Sequence, residues 1–169
     1  PSGMVGAVML LALVFVAVFA EMLYPGDPWR MAGRPNLPPF SPGYIFGTDQ
    51  LGRDIAAGIA HGARMSLIIG FVSTVASVVI GVVVGALSGY FSGRVDDALM
   101  RLTEFFQTIP SFMLAIVLVA IFSPSLGSIV SAIAIVSWPP VARLVRAEFL
   151  SLRSRDFVKA ARIGGHSHL

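Results

Sequence analysis

Two long stretches without a single charged side chain constrain this chain more than any other feature: 29 residues between Arg64 and Arg94, and 38 residues between Glu104 and Arg143. A spanning helix needs roughly 18 to 20 apolar residues, so each stretch is long enough to cross a bilayer. The remaining composition agrees. Only 12% of residues are charged and 56% are hydrophobic, with a mean hydropathy of +0.82, whereas soluble domains carry about 25% charged residues. The chain is therefore read as an all-α integral membrane protein in contact with membrane lipid. It has no cysteine, which excludes a disulfide framework and a thiolate metal site.

A first apolar stretch, 3–23, makes a helix of about 31 Å, close to the hydrocarbon thickness, and lacks the basic flank of a signal peptide. Residues 24–41 hold Pro25, Pro28, Pro35, Pro38 and Pro39 and are expected as an irregular segment outside the bilayer. Thr48 and Asp49 then offer capping side chains, and Leu51, Ile55 and Ile59 recur opposite Arg53, His61 and Arg64. That pattern predicts a short interfacial amphipathic helix. A second span is expected over about 66–87, with Gly81, Gly85 and Gly89 as a helix-packing seam, because small residues four apart let backbones approach closely in lipid.

As one helix, the 38-residue stretch would measure about 57 Å, nearly twice one crossing. It must turn, and Ser123-Pro124-Ser125 is the turn-forming cluster near its middle. A third span then ends near Phe122 and a fourth starts near Leu126, with Pro110 and Pro139-Pro140 expected to end or kink helices. The resulting division is a first transmembrane helix over 1–23, an extracytoplasmic loop with its amphipathic helix over 24–65, transmembrane helices two to four over 66–142, and a cytoplasmic segment over 143–169. Arg143, Arg146, Arg153, Arg155, Lys159 and Arg162 are six of the twelve Lys and Arg residues. The positive-inside rule places them, and hence the C-terminal segment, in the cytoplasm.

Chemistry-bearing constellations are sparse. There is no Gly-x-x-x-x-Gly-Lys-Ser/Thr motif for nucleotide phosphates. His166 and His168 lack an adjacent third ligand, so no metal site is expected. Asp49 and Asp54 lie where helix capping explains acids without catalysis, and His61, Glu21 and Glu104 sit at span edges. No nucleophile, base and orienting group occur together, so no catalytic residue, cofactor or nucleic-acid partner is expected. The spans also contain no acid or base to couple an ion, which disfavours a secondary transporter.

The patterns Phe46-Gly-Thr-Asp-Gln-Leu-Gly-Arg-Asp54, Gly62-Ala-Arg-Met-Ser-Leu67, Arg143-Leu-Val-Arg-Ala-Glu148 and Asp156 to Ser167, in this order and spacing, resemble the permease subunits of binding-protein-dependent ABC importers for dipeptides, oligopeptides or nickel. The resemblance runs from about Tyr24 onward and is to the second of the two permeases, which bears a Gly-Thr-Asp signature here represented by Gly47, Thr48, Asp49, Gly52, Arg53 and Asp54. It implies a bacterial inner-membrane location and a heterodimer with another permease subunit. It also implies two ATPase subunits that hydrolyse the ATP, so that this chain is not itself an enzyme, and an extracytoplasmic solute-binding protein.

The resemblance further implies ATPase docking through Phe157, Val158, Lys159, Ala160, Ala161 and Gly165. Lys159 stands where the family has a glutamate, and Gly164 beside Gly165 loosens the turn. Residues 140–162 are rich in helix formers, with Val141, Leu144, Val145, Leu152 and Val158 as apolar contacts and Gly164-Gly165 as the stop. The family has about six spans against four expected here, and the chain begins at Pro1 and ends inside the docking segment, so it is expected to be part of a longer subunit. The alternative is a four-span scaffold that binds another membrane protein through the Gly81, Gly85 and Gly89 seam.

Overall fold

A computed structural model describes residues 2–123 and 125–165. Among the described residues there are helices, turns and isolated bridges, and no named strand. The chain divides into two compact units, 1–70 and 71–169.

In the first unit, α1 (Ser2–Val18) leads through a turn at Phe19 into the short α2 (Ala20–Leu23). The Phe19 amide still donates to the Phe15 carbonyl at 3.0 Å and the two rings lie 4.6 Å apart, so the chain barely leaves the helical path. A proline- and glycine-rich loop follows, and α3 (Ile55–Phe91) begins after it. Glu21 receives Arg64 Nη1 at 2.7 Å, and His61 Nε2 lies 3.0 Å from the Tyr24 carbonyl, tying α2 to the first turns of α3.

The segment expected as a surface helix followed by a separate second span is one continuous helix of 37 residues. Gly58 and Gly62 have open space around them, and neither adopts a left-handed backbone. A glycine in that state weakens a helix by only about 1 kcal/mol without ending it.

In the second unit, α3 stops at Ser92, whose φ is +55°, followed by Gly93 at +57°. These positive φ values break the helical path and turn the chain. Helix α4 (Gly93–Thr108) is amphipathic and ends where Ile109 turns extended ahead of Pro110. The residue before a proline disfavours the α region, and α5 (Ser111–Ile121) leaves at 86° to α4. The segment expected to hold the third span is thus a bent pair of helices, and its apolar half is only 11 residues.

Helix α6 (Leu126–Arg153) starts at a reciprocal capping box. Ser125 Oγ accepts the Ser128 amide at 3.1 Å, and Ser128 Oγ accepts the Ser125 amide at 2.9 Å. It runs through Pro139 and Pro140 without ending. The helix expected over 140–162 is broken by a turn at Ser154 and Arg155, after which α7 (Asp156–Ile163) forms and stops at Gly164-Gly165, with Gly165 at φ +84°. His166 and His168 lie outside the described residues.

By length and composition, α3 and α6 are each sufficient to cross a membrane, and there are three such segments only when the bent pair α4–α5 is counted as one span. At 17 residues, α1 is a shorter apolar helix.

Candidate functional site

The signature residues build a knot in the first-unit loop. Thr48 is 4% exposed, and its hydroxyl accepts the Leu37 amide at 3.0 Å and donates to the Arg34 carbonyl. Gly47, at φ +77°, lies against the Leu37 and Pro38 carbonyls, and Gly52, at φ +76°, against the Gly33 carbonyl. A Cβ at either position would collide with backbone, so sterics and dihedral both demand glycine. The Ala32 and Gly33 amides donate to the Gly52 carbonyl at 2.9 and 3.0 Å, closing the loop on itself.

Thr48 and Asp49 were expected to cap a helix; instead they hold this loop. The left-handed Gly52 interrupts the backbone between Asp49 and α3, and Asp54 becomes the capping residue, accepting the Ala56 amide at 2.8 Å. Asp49 accepts the Leu51 amide at 2.8 Å and the Arg53 amide at 2.9 Å, with Arg53 Nε 3.8 Å away. The Arg53 backbone amide, more than any other partner, holds the Asp49 carboxyl below its ordinary range, with the Leu51 amide and the Arg53 charge acting in the same direction. The Arg53 guanidinium lies 5.2 Å from the Trp29 ring centroid, within cation–π range. A cavity of about 780 Å³ beside the knot is lined by Glu21, Trp29, Arg53, Asp54, His61 and Arg64 among others. Its charged side chains are engaged with one another or with backbone amides.

The glycine seam lies in the second unit and faces α6. A Cβ at Gly81 would stand 2.6 Å from Val141 Cβ; one at Gly85 would strike the Ala142 carbonyl and lie 2.8 Å from Val145 Cβ; one at Gly89 would stand 2.5 Å from Phe149 Cβ. The seam is filled from within the chain, which removes the surface that the scaffold alternative requires.

Alongside the seam, three arginines of α6 reach towards α4 and the corner between α3 and α4. Arg143 Nη1 donates to Gln107 Oε1 at 2.9 Å, and Arg153 Nη1 donates to Ser92 Oγ at 2.5 Å. Between them, Arg146 donates through Nε and Nη2 to the two oxygens of Asp96, both at 2.5 Å, and the Ser88 hydroxyl also donates to Asp96. The Asp96 side chain is only 13% exposed. The Arg146–Asp96 contacts join residues 50 apart, and no local pattern announces them. One hint exists: Asp97 has Arg101 four residues on, the spacing of a helical ion pair, whereas Asp96 meets Met100 there.

Of the expected docking residues, Phe157, Val158, Lys159, Ala160 and Ala161 lie on α7 and Gly165 just after it. Val158 is half-buried in a notch formed with Gly89, Tyr90, Phe149, Leu152 and Arg153. Phe157 is exposed, as is Ile163. Lys159 Nζ lies 3.5 Å from Asp156 Oδ1 on its own helix, an exposed pair that water screens.

Comparison with known proteins places this geometry. The family model described as binding-protein-dependent transport system inner membrane component matches residues 81–169, from the first seam glycine to the end of the chain. The di/tripeptide transport system permease protein DppC of Pseudomonas aeruginosa (strain UCBPP-PA14) is 40% identical over 173 residues, covering 95% of this chain and 55% of that protein. The oligopeptide transport system permease protein OppC of Escherichia coli (strain K12) is 42% identical over 165 residues, covering 94% and 54%. The dipeptide transport system permease protein DppC of the same strain is 41% identical over 170 residues, covering 97% and 57%. The chain spans about half the length of the curated relatives it matches.

Proposed function

Because the chain belongs to the family of binding-protein-dependent transport system inner membrane components, we propose that it is the membrane-spanning part of a permease subunit of an ABC importer for peptides. The relatives named above are peptide permeases, which favours peptides over nickel. In this reading the subunit pairs with a second permease to line the path, receives peptide from an extracytoplasmic binding protein, and is driven by two cytoplasmic ATPases. The basic segment from Arg143 to Arg162 supports a cytoplasmic C-terminal side.

The observation that carries the proposal is α7. It is an amphipathic helix of eight residues, set off from α6 by the Ser154–Arg155 turn and seated by Val158. Its aromatic residue, Phe157, faces outward at 65% exposure. A short helix held on one side and apolar on the other is suited to enter a partner's cleft and transmit rigid-body motion to the spans behind it.

In the full-length subunit co-expressed with its ATPases, Phe157→Asp and Gly165→Pro are expected to lower ATPase co-purification and peptide uptake at least about ten-fold, the scale of losing a buried aromatic anchor. Proline cannot adopt the +84° φ of Gly165. Wild-type co-purification and uptake in both variants would refute docking through α7.

A further inference from the structure

We propose that Asp96 and Arg146, with Ser88, form a clamp through which movement of α7 reaches α3 and α4, making them positioning residues for transport. The inference rests on the peptide-importer reading and extends it to residues outside the docking helix.

The argument begins at Pro139 and Pro140. Neither has an amide hydrogen to donate to the carbonyls four residues back, those of Ile135 and Val136. Helix α6 passes through this point unbroken with two fewer internal hydrogen bonds, so bending is easiest there. Everything C-terminal to the proline pair, residues 141–153, forms one arm that ends at α7.

What the arm grips decides where a displacement of α7 goes. Along the glycine seam the grip is van der Waals contact, which resists compression but has little direction. The arginines add direction. Arg143, Arg146 and Arg153 lie three and then seven residues apart, which places them on one face of a helix. They tie the arm to Gln107 near the end of α4, to Asp96 near its start, and to Ser92 at the corner between α3 and α4.

Only the middle tie is bidentate between opposite charges, and only it engages three helices at once, because Ser88 of α3 shares the Asp96 carboxylate. A planar guanidinium on a carboxylate fixes relative orientation as well as distance, which a lysine ammonium does not. The pair therefore carries rotation of the arm, where the single bonds at its ends carry only displacement.

The test uses the full-length subunit assembled with its permease partner, ATPases and binding protein in proteoliposomes, with peptide uptake per ATP hydrolysed as the readout. Arg146→Lys keeps the charge and loses the fork; Asp96→Asn keeps the shape and loses the charge. Each is expected to lower uptake per ATP at least about five-fold while the ATPases still co-purify, the lower end of typical coupling effects. The exchanged pair, Asp96→Arg with Arg146→Asp, is expected to recover part of the loss.

Uptake per ATP at the wild-type value in both single variants would overturn the clamp and leave the importer reading standing. Failure of both single variants to assemble, unrelieved by the exchange, would mark a purely structural tie and overturn it too. A wild-type complex that imports no peptide would overturn the importer reading, and the clamp with it.

Discussion

Asp49 carries its hydrogen bonds on one short stretch of backbone. Its carboxylate faces the Leu51 and Arg53 amides and the Arg53 guanidinium, and its acidity is raised accordingly. The native group is therefore harder to protonate than the unfolded one, whose pKa is about 3.9. Its contribution to the loop is complete above about pH 4 and is lost as pH falls through the lower native value. Amide-exchange protection at Leu51 and Arg53 should drop in that acid window in the native protein and stay level across it in Asp49→Asn. An identical profile in both would mean that the carboxylate does not hold the turn. From sequence, the pair Thr48-Asp49 is legible as side chains that bind backbone. Which backbone they bind is not, because the left-handed Gly52 that separates them from the helix follows from Gly33, nineteen positions earlier, closing on it.

At the scale of elements, α3 carries glycines of two kinds. A Cβ at Gly70 meets nothing within 4 Å, while one at Gly85 meets the Ala142 carbonyl and Val145. Gly70→Ala should therefore raise thermal stability in detergent by up to about 1 kcal/mol through helix propensity. Gly85→Ala should lower it by about 1–3 kcal/mol by forcing α6 away. Equal shifts for the two would show that the seam is not close-packed. The spacing of four that puts Gly81, Gly85 and Gly89 on one helix face is a local pattern, and Pro110 was readable as a break because proline's covalent limits are local too. The continuity of α3 was not, since arginine and histidine near its start imitate a helix lying on a surface. Nor was the Asp96–Arg146 pair, whose partners meet only after the chain has bent at Pro110 and turned ahead of α6.

At the scale of the whole molecule, apolar side chains stand outward on several helices. Met4, Phe71, Phe112 and Ile121 are between 72% and 76% exposed, far from the scattered apolar residues that water tolerates. Such surface is suited to contact with lipid or other membrane helices. Membranes containing this chain should therefore retain it in the pellet after alkaline carbonate extraction, and release into the supernatant would contradict spanning by α3 and α6. Hydropathy made this much legible at once, since solvent preference sums over residues and needs no knowledge of contacts.

The brevity of α5 adds a constraint of a different kind. Its eleven residues reach about 17 Å, little more than half the hydrocarbon layer, so as the nascent chain emerges this segment is poorly suited to partition sideways out of the insertion machinery alone. It is expected to wait there until α6 has been translated and offers a partner. The order of synthesis is thereby built into the fold: a chain in which α6 is delayed or removed should stall in biogenesis.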